Sequence, residues 1–378
     1  MPLSSLSVAH VVGARPNFMK AAPVHAALAA RGVAQSVIHT GQHYDRNMSD
    51  IFFEQLGLPE PDVNLGVRAG SHAVQTGETM MQLEERFTAD RPDLLLVYGD
   101  VNSTVAASLV ASKMGIPTAH VEAGLRSRDR RMPEELNRLV TDQLADLLLT
   151  PSVDGNENLA REGVAPEKVH LVGNVMIDTL DRLRPQAERA WPALAEAHGL
   201  DTGGYVLVTL HRPSTVDDEP TLRRVLGALG RLSERVPHLF PIHPRTRRRI
   251  ADAGIALPDG LTLTDPIGYL DFLALQAHAA LVITDSGGVQ EETTALGVPC
   301  LTARENTERP VTCTLGTNRL VGYDTDLLER LAGRILDGEP VRGTRPILWD
   351  GRAGERIADV VEAWAAERSS EAAEAVAA

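Results

Sequence analysis

The sequence predicts an α/β protein made of two Rossmann-like domains with parallel sheets. Three observations point there. Short runs rich in Val, Leu and Ile alternate with helical stretches of about a dozen residues, the pattern of βαβ units. These runs fall into two sets of about six, one in each half of the chain. The chain has 378 residues, more than a single hydrophobic core normally serves, so two domains are the default.

The first set of strands comprises Val8 to Val12, Val37 to Thr40, Leu94 to Tyr98, Thr118 to Val121, Leu147 to Thr150 and His170 to Val172. The second comprises Tyr205 to Leu210, Leu239 to Ile242, Leu261 to Leu263, Leu281 to Thr284, Cys300 to Thr302 and Arg319 to Val321. Ser71 to Phe87 and Ser103 to Met114 read as helices. Gly173 and Asn174 lie between the two sets, so the domains are expected at 1–174 and 175–352. A final helix, Ala353 to Arg368, follows, and the tail SSEAAEAVAA is expected to fray.

Composition narrows the function. Hydrophobic content of 43% and charged content of 23% are those of a globular protein. A net charge of −14 argues against nucleic acid or an anionic membrane as the main partner, but not against a small anion bound locally. No run approaches the ~18 apolar residues of a membrane span, and the N-terminus lacks the pattern of a signal peptide. Cys300 and Cys313 are the only cysteines and form no metal-ligand pattern, so a reduced, cytoplasmic protein is expected. Cys300 reads as a small core residue at a strand start.

Polar residues collect directly after the strands. Strand ends lead into Gly13 to Lys20, Gly99-Asp100, Glu122-Ala123-Gly124, His211-Arg212-Pro213, His243-Pro244-Arg245 and a Ser-Gly-Gly turn. Ligands of open α/β sheets bind outside the carboxyl ends of the strands. If the halves face each other, one cleft gathers Arg15, Lys20, Asp100, Glu122, His211 and Ser286.

The segment ALVITDSGGVQEE is the most informative. Its strand is broken by Asp285, Ser286, Gly287 and Gly288, and a helical pattern resumes at Val289. A strand that feeds a helix through such a turn presents free N–H groups at the positive end of the helix dipole, a site for phosphate. The glycines allow close approach of a ligand. Glu291 and Glu292 are expected in the first turn, where a carboxylate could accept hydrogen bonds from a ribose diol. A plain strand–helix turn with acidic residues favoured by the dipole is the competing explanation.

In RRMPEELNR, Pro133 suits the first position of a helix and places Glu135 and Arg138 on one face. A helix-stabilising pair worth only ~0.2–0.5 kcal/mol would explain them equally well. Arg247 to Arg249 read as a solvated helix face, and Arg309 as a loop or cleft cation. Gly13-Ala14-Arg15-Pro16 stands where a dinucleotide fold carries G-x-G-x-x-G and does not match it, so NAD is not expected.

Together GARPNFMKAAP, TGQH, LLLVYGDVNST, HVEAGLRS, PEELNR, GNVMIDTL, TLHRP, TDSGGVQEE and ENTERP resemble the non-hydrolysing UDP-N-acetylglucosamine 2-epimerases, in family order from about Val8 to Ala365. The resemblance implies a GT-B fold, an active site between two domains, a last helix that packs back on the first domain, a homodimer and no cofactor. It assigns catalysis to Asp100, Glu122 and Glu135, with Lys20 and His211. It assigns substrate binding to Arg15, Arg138, Arg212, Ser286, Gly287, Gly288 and Arg309, ribose to Glu292, and the surroundings of the uracil to Ile267 and Phe272. Two departures stand out. Asn17 replaces a glutamate common after Arg-Pro. The Arg-Gln pair with which many bacterial members bind a second, activating substrate molecule is not evident in NLGVRAGSHAVQT.

The residue types suit such a reaction. C2 of a nucleotide sugar has no adjacent carbonyl, so its hydrogen is not acidic enough for simple deprotonation. Expulsion of the nucleoside diphosphate from C1 solves this by giving a glycal, to which the diphosphate re-adds. Cations and dipoles are needed at the leaving diphosphate, and acid/base groups at both faces of C2, one of them protonated near neutrality. A hydrolysing 2-epimerase, a GT-B glycosyltransferase and a catalytically silent nucleotide-sugar sensor are the rival readings.

Overall fold

The computed structural model describes residues 6–41 and 55–377. Gln42 and His43 of the TGQH stretch lie outside them. The chain divides into two compact units, Met1–Thr179 with Ile347–Ala378, and Leu180–Pro346. The division falls inside the helix Val175–His198.

The first unit holds β1 (Ser7–Val12), β2 (Ala34–His39), β3 (Val63–Asn64), β4 (Leu94–Tyr98), β5 (Thr118–Val121), β6 (Leu147–Thr150) and β7 (Val169–Leu171). They form one sheet in the order β3-β2-β1-β4-β5-β6-β7, every pairing parallel. The central strands read as unbroken apolar runs because helices cover both faces; every residue of β4 is buried. Ala9, Val11, Leu95 and Val97 pack with Leu83 and Phe87 of the helix His72–Ala89 and Val110 of the helix Asn102–Met114. The short β3 went unforeseen. At two residues it carries no periodic signal; it is held by pairing with β2 and by Val63, which packs on the core of the first unit.

The second unit holds β8 (Val206–Thr209), β9 (His238–Pro241), β10 (Leu261–Thr264), β11 (Leu281–Thr284), β12 (Cys300–Thr302) and β13 (Asn318–Leu320). Their order is β10-β9-β8-β11-β12-β13, again all parallel. Val206, Val208, Leu281 and Ile283 pack against Leu222, Leu226 and Leu229 of the helix Glu219–Ser233. Cys300 opens β12 as a buried core residue, and burial pushes its thiol up to about 12.

Each sheet has one place where the strand order reverses, between β1 and β4 in the first unit and between β8 and β11 in the second. In doubly wound folds the crevice at that reversal is where ligands bind.

The last helix, Ala353–Ala377, belongs to the first unit and packs on the helix Arg15–Ala29. Arg31 pairs with Asp359 and, at 3.0 Å, with Glu362. A Cβ on Gly354 would approach the Pro23 carbonyl oxygen to 2.7 Å, so the backbones meet closely there. Asp178 satisfies the start of this helix by accepting from the N–H groups of Ala353 (3.0 Å) and Gly354 (2.7 Å), and burial pushes its carboxyl up to about 6. The expected fraying after Arg368 is not found. The helix continues through an Ala- and Glu-rich stretch of high helix propensity, and the Ser369 hydroxyl donates back to the Ala365 carbonyl at 2.8 Å. No helix among the described residues is long and apolar enough to cross a membrane.

Candidate active site

In the first unit the chemistry sits at the reversal between β1 and β4 and on the neighbouring end of β5. Pro16 stands in the first turn of the helix Arg15–Ala29, where its missing N–H costs nothing. Ala14, at the N-cap, offers no acceptor side chain. Asn17 replaces it by reaching back to accept from the N–H groups of Gly13 (3.0 Å) and Ala14 (2.9 Å). Its amide also donates to the Tyr98 carbonyl at 2.8 Å, which ties the first turn to the end of β4. Asn therefore serves well where the resemblance leads one to expect Glu. Arg15, at the helix start, is exposed, whereas Lys20, one turn further in, is buried.

The two basic residues thus differ in kind. Lys20 closes an ion pair with Glu122 in which both side chains are buried. Glu122 follows β5 directly and holds a left-handed backbone, φ 74°, a conformation that costs a non-glycine residue about 1–3 kcal/mol and that concentrates at functional sites. Beside the pair lies Gly99, φ 62°, also left-handed. A Cβ there would fall 2.8 Å from Lys20 Nζ and 3.2 Å from Glu122 Oε2.

Asp100, next along the chain, is 24% exposed at its side chain and accepts from Arg138 Nε (2.9 Å) and Nη2 (2.8 Å). Arg138 also reaches Glu135 at 2.5 Å, and both of these side chains are buried. The i, i+3 pair is therefore no solvated helix decoration. It is a bridge, Asp100–Arg138–Glu135, from the end of β4 to the helix Pro133–Leu144. Glu135 is further fixed by the N–H groups of Ser127 (2.8 Å) and Arg128 (2.8 Å) and by the Ser127 hydroxyl (3.0 Å). Each of the three candidate carboxylates faces a cation.

In the second unit the corresponding groups sit at the reversal between β8 and β11. Asp285, buried at the end of β11, accepts from the backbone N–H groups of His211 (3.0 Å) and Arg212 (2.9 Å) and from His211 Nδ1 (3.0 Å). Burial alone would raise Asp285, but the facing His211 and these N–H groups outweigh it and hold the carboxyl below its ordinary value. Arg212 Nε donates to the Asp285 carbonyl at 3.0 Å. With Nδ1–H held by a carboxylate, the imidazole of His211, 53% exposed, keeps Nε2 for another partner.

The helix after β11 runs Gly287–Leu296, two residues earlier than its sequence pattern suggests. Glu291 and Glu292 consequently lie in its second turn, not the first; the two glycines are themselves helical. Ser286 is the N-cap, yet its hydroxyl makes no capping bond, so the first-turn N–H groups are not answered by it. Gly287 packs directly against a neighbour. A Cβ there would come within 2.6 Å of Arg309 Nη1. Arg309 pairs with Glu291 at 2.8 Å and with Glu308 at 3.4 Å, which sets its guanidinium beside the turn.

Glu292 meets the Tyr269 hydroxyl at 2.9 Å, and burial, reinforced by Glu291, pushes its carboxyl up to about 7. Ile267 and Phe272 flank Tyr269 and pack, half-buried, on the cluster of Leu275, Val282 and Val289. Arg247 to Arg249 are exposed on the helix Pro244–Asp252.

The family model described as UDP-N-acetylglucosamine 2-epimerase matches residues 26–362. The chain belongs to that family. Among relatives, the UDP-N-acetylglucosamine 2-epimerase of Methanocaldococcus jannaschii is 39% identical, over 93% of this chain and 97% of its own. The UDP-2,3-diacetamido-2,3-dideoxy-D-glucuronate 2-epimerase of Pseudomonas aeruginosa is 40% identical, over 94% and 99%. The crystal structure of the M. jannaschii enzyme in complex with UDP-GlcNAc and UDP superimposes with a TM-score of 0.86 at 38% identity, covering 94% of this chain and 99% of that one. The fold of this epimerase-family chain is thus of the GT-B type, with two Rossmann-like parallel sheets.

Sequence reasoning passed over several residues that build these sites. Asp285 read only as a strand breaker, although it anchors His211 and Arg212. Tyr269, Asn17, His120 and Asp142 received no role. The position of His120 and Asn17 beside strand ends was the available signal. For Tyr269 and Asp142, whose partners are distant in sequence, there was none.

Proposed function

We propose that the chain interconverts UDP-GlcNAc and UDP-ManNAc without hydrolysis and without a cofactor. The observation that carries this reading is that the reversal point of each sheet holds one half of the required chemistry. The first unit supplies carboxylates with their cations, and the second a helix N-terminus with His211, Arg212 and Arg309. The M. jannaschii relative, which binds UDP-GlcNAc and UDP, supports it.

The reaction is an anti elimination followed by re-addition. A base removes the C2 proton, the C2–H electrons become the C1=C2 bond, and the C1–O bond breaks to release UDP. A proton then returns to C2 on the opposite face and a UDP oxygen re-forms the bond at C1. Asp100, Glu122 and Glu135 carry the protons, with Lys20 holding Glu122 and Arg138 holding the other two. The charge that develops on the diphosphate is met by Arg15, His211, Arg212, Arg309, the Ser286 hydroxyl and the N–H groups of Gly287 and Gly288; preorganised groups of this kind usually give the largest catalytic term. Glu292 takes the ribose, and Ile267 and Phe272 flank the uracil. The enzyme works as a homodimer.

Incubation with UDP-GlcNAc in deuterated water, followed by NMR, tests the reading. UDP-ManNAc carrying deuterium at C2 is expected. Free ManNAc with UDP would make the enzyme a hydrolysing epimerase. The P. aeruginosa relative, no less similar, makes a UDP-2,3-diacetamido uronate the second substrate to offer. Turnover and C2 exchange with that sugar alone would replace the GlcNAc assignment.

A further inference from the structure

We infer that His120 and Asp142 are positioning residues for the three carboxylates, and that His120 acts as an imidazolium with both ring nitrogens donating. The inference rests on the epimerase reading for the reaction that is served.

His120 lies on β5 and Asp142 on the helix Pro133–Leu144, and both side chains are fully buried. His120 Nδ1 meets Asp142 Oδ1 at 2.6 Å, and Nε2 meets the Gly99 carbonyl oxygen at 2.8 Å. A carboxylate and a carbonyl can only accept, so the ring donates to both and is positively charged. The other carboxylate oxygen, Asp142 Oδ2, accepts from the Gly124 N–H at 3.1 Å and pairs with Arg126 at 2.7 Å; Arg126 pairs in turn with Glu162 at 2.6 Å. Two cations and two anions leave the cluster neutral, as buried charges require, with Glu162 at its partly exposed edge.

The cluster touches each of the three segments that carry the carboxylates. Gly99 directly precedes Asp100, and its left-handed glycine backbone leaves that peptide free to rotate unless its carbonyl is held. Gly124 follows Glu122 by two residues, and its φ of 82° is again left-handed. Asp142 lies seven residues after Glu135, two turns along the same helix face. One ion pair therefore sets the register of three strand and helix ends. Being buried, neither residue touches substrate; each acts through Asp100, Glu122 and Glu135.

Paired variants of the full chain separate the two contacts. His120→Gln keeps a donor near the Nε2 position and hence the Gly99 contact. His120→Asn keeps one near Nδ1 and hence the Asp142 contact. With UDP-GlcNAc, His120→Gln should keep kcat within about tenfold of wild type, whereas His120→Asn should lose about 100-fold, with KM and UDP affinity little changed in both. Equal kcat in the two variants, or a loss that appears only in KM, would overturn the inference. Neutron diffraction from wild-type crystals in deuterated solution needs no variant to fold. Deuterons on both nitrogens of His120 are expected, and a single deuteron would overturn the inference. A wild-type enzyme that exchanges no C2 hydrogen on either candidate sugar would instead defeat the epimerase reading.

Discussion

Lys20 and Glu122, 102 positions apart in sequence, close as a buried ion pair directly against Gly99, whose missing side chain leaves room for both. Gly99→Ala would place a methyl group 2.8 Å from Nζ and force a left-handed alanine. The expected result is a loss of about 1–3 kcal/mol in unfolding free energy, together with a fall in kcat and unchanged UDP affinity. Thermal unfolding and isothermal titration with UDP measure both. Wild-type turnover would show that the pair has no part in the reaction.

Arg138 bridges Asp100 and Glu135, so the three should behave as a unit. Arg138→Met leaves two carboxylates without their shared cation. Breaking a buried pair in this way typically costs about 3–5 kcal/mol, reduced here because Asp100 is partly exposed. A double-mutant cycle with Asp100→Asn should give a coupling energy above about 0.5 kcal/mol in both stability and log kcat. Simple additivity would mean that the two residues act apart.

In the second unit, Asp285→Asn should loosen His211 and Arg212 together. A loss of about 2 kcal/mol is expected from hydrogen bonds to a buried charged group, with UDP affinity down about tenfold. The pH dependence has a definite sign. The folded carboxyl lies below its ordinary 3.8, so its stabilisation is fully present above that value and fades as pH falls through the folded one. The stability gap between wild type and variant should thus be constant from pH 6 to 8 and close only in strong acid. A gap that widened in acid would contradict the assignment.

Glu292 runs the other way. Its carboxyl is raised from 4.5 to about 7, so its contribution to stability is fully present below 4.5 and is lost as pH rises through 7. Across that window Glu292→Gln should gain stability relative to wild type, up to about 3 kcal/mol, while UDP affinity falls. Urea unfolding at pH 5 and pH 8 tests the first part. A pH-independent difference would rule out the raised carboxyl.

Much of this was legible in the sequence. β4, β5, β6, β11 and β12 have the expected boundaries because central parallel strands, covered on both faces, are bare apolar runs. The polar residues following them mark where ligands bind in such sheets. Partnership was not legible. Nothing near Lys20 in sequence selects Glu122, and nothing near His120 selects Asp142; the sheet order brings them together. The start of the helix Gly287–Leu296 was misjudged because two glycines suggest a loop, whereas here Gly287 is helical and small to make room for Arg309.

The first unit is interrupted in sequence, its opening 179 residues being completed only by the stretch from Ile347 onward. A ribosome therefore delivers the whole second unit before it delivers the helix that covers Arg15–Ala29. Until then the segment that bears Lys20 lacks its cover, so the nascent first unit should be vulnerable to proteases and to premature association. Shortening the chain ahead of Ala353 would make that transient state permanent, and the first unit would suffer before the second does.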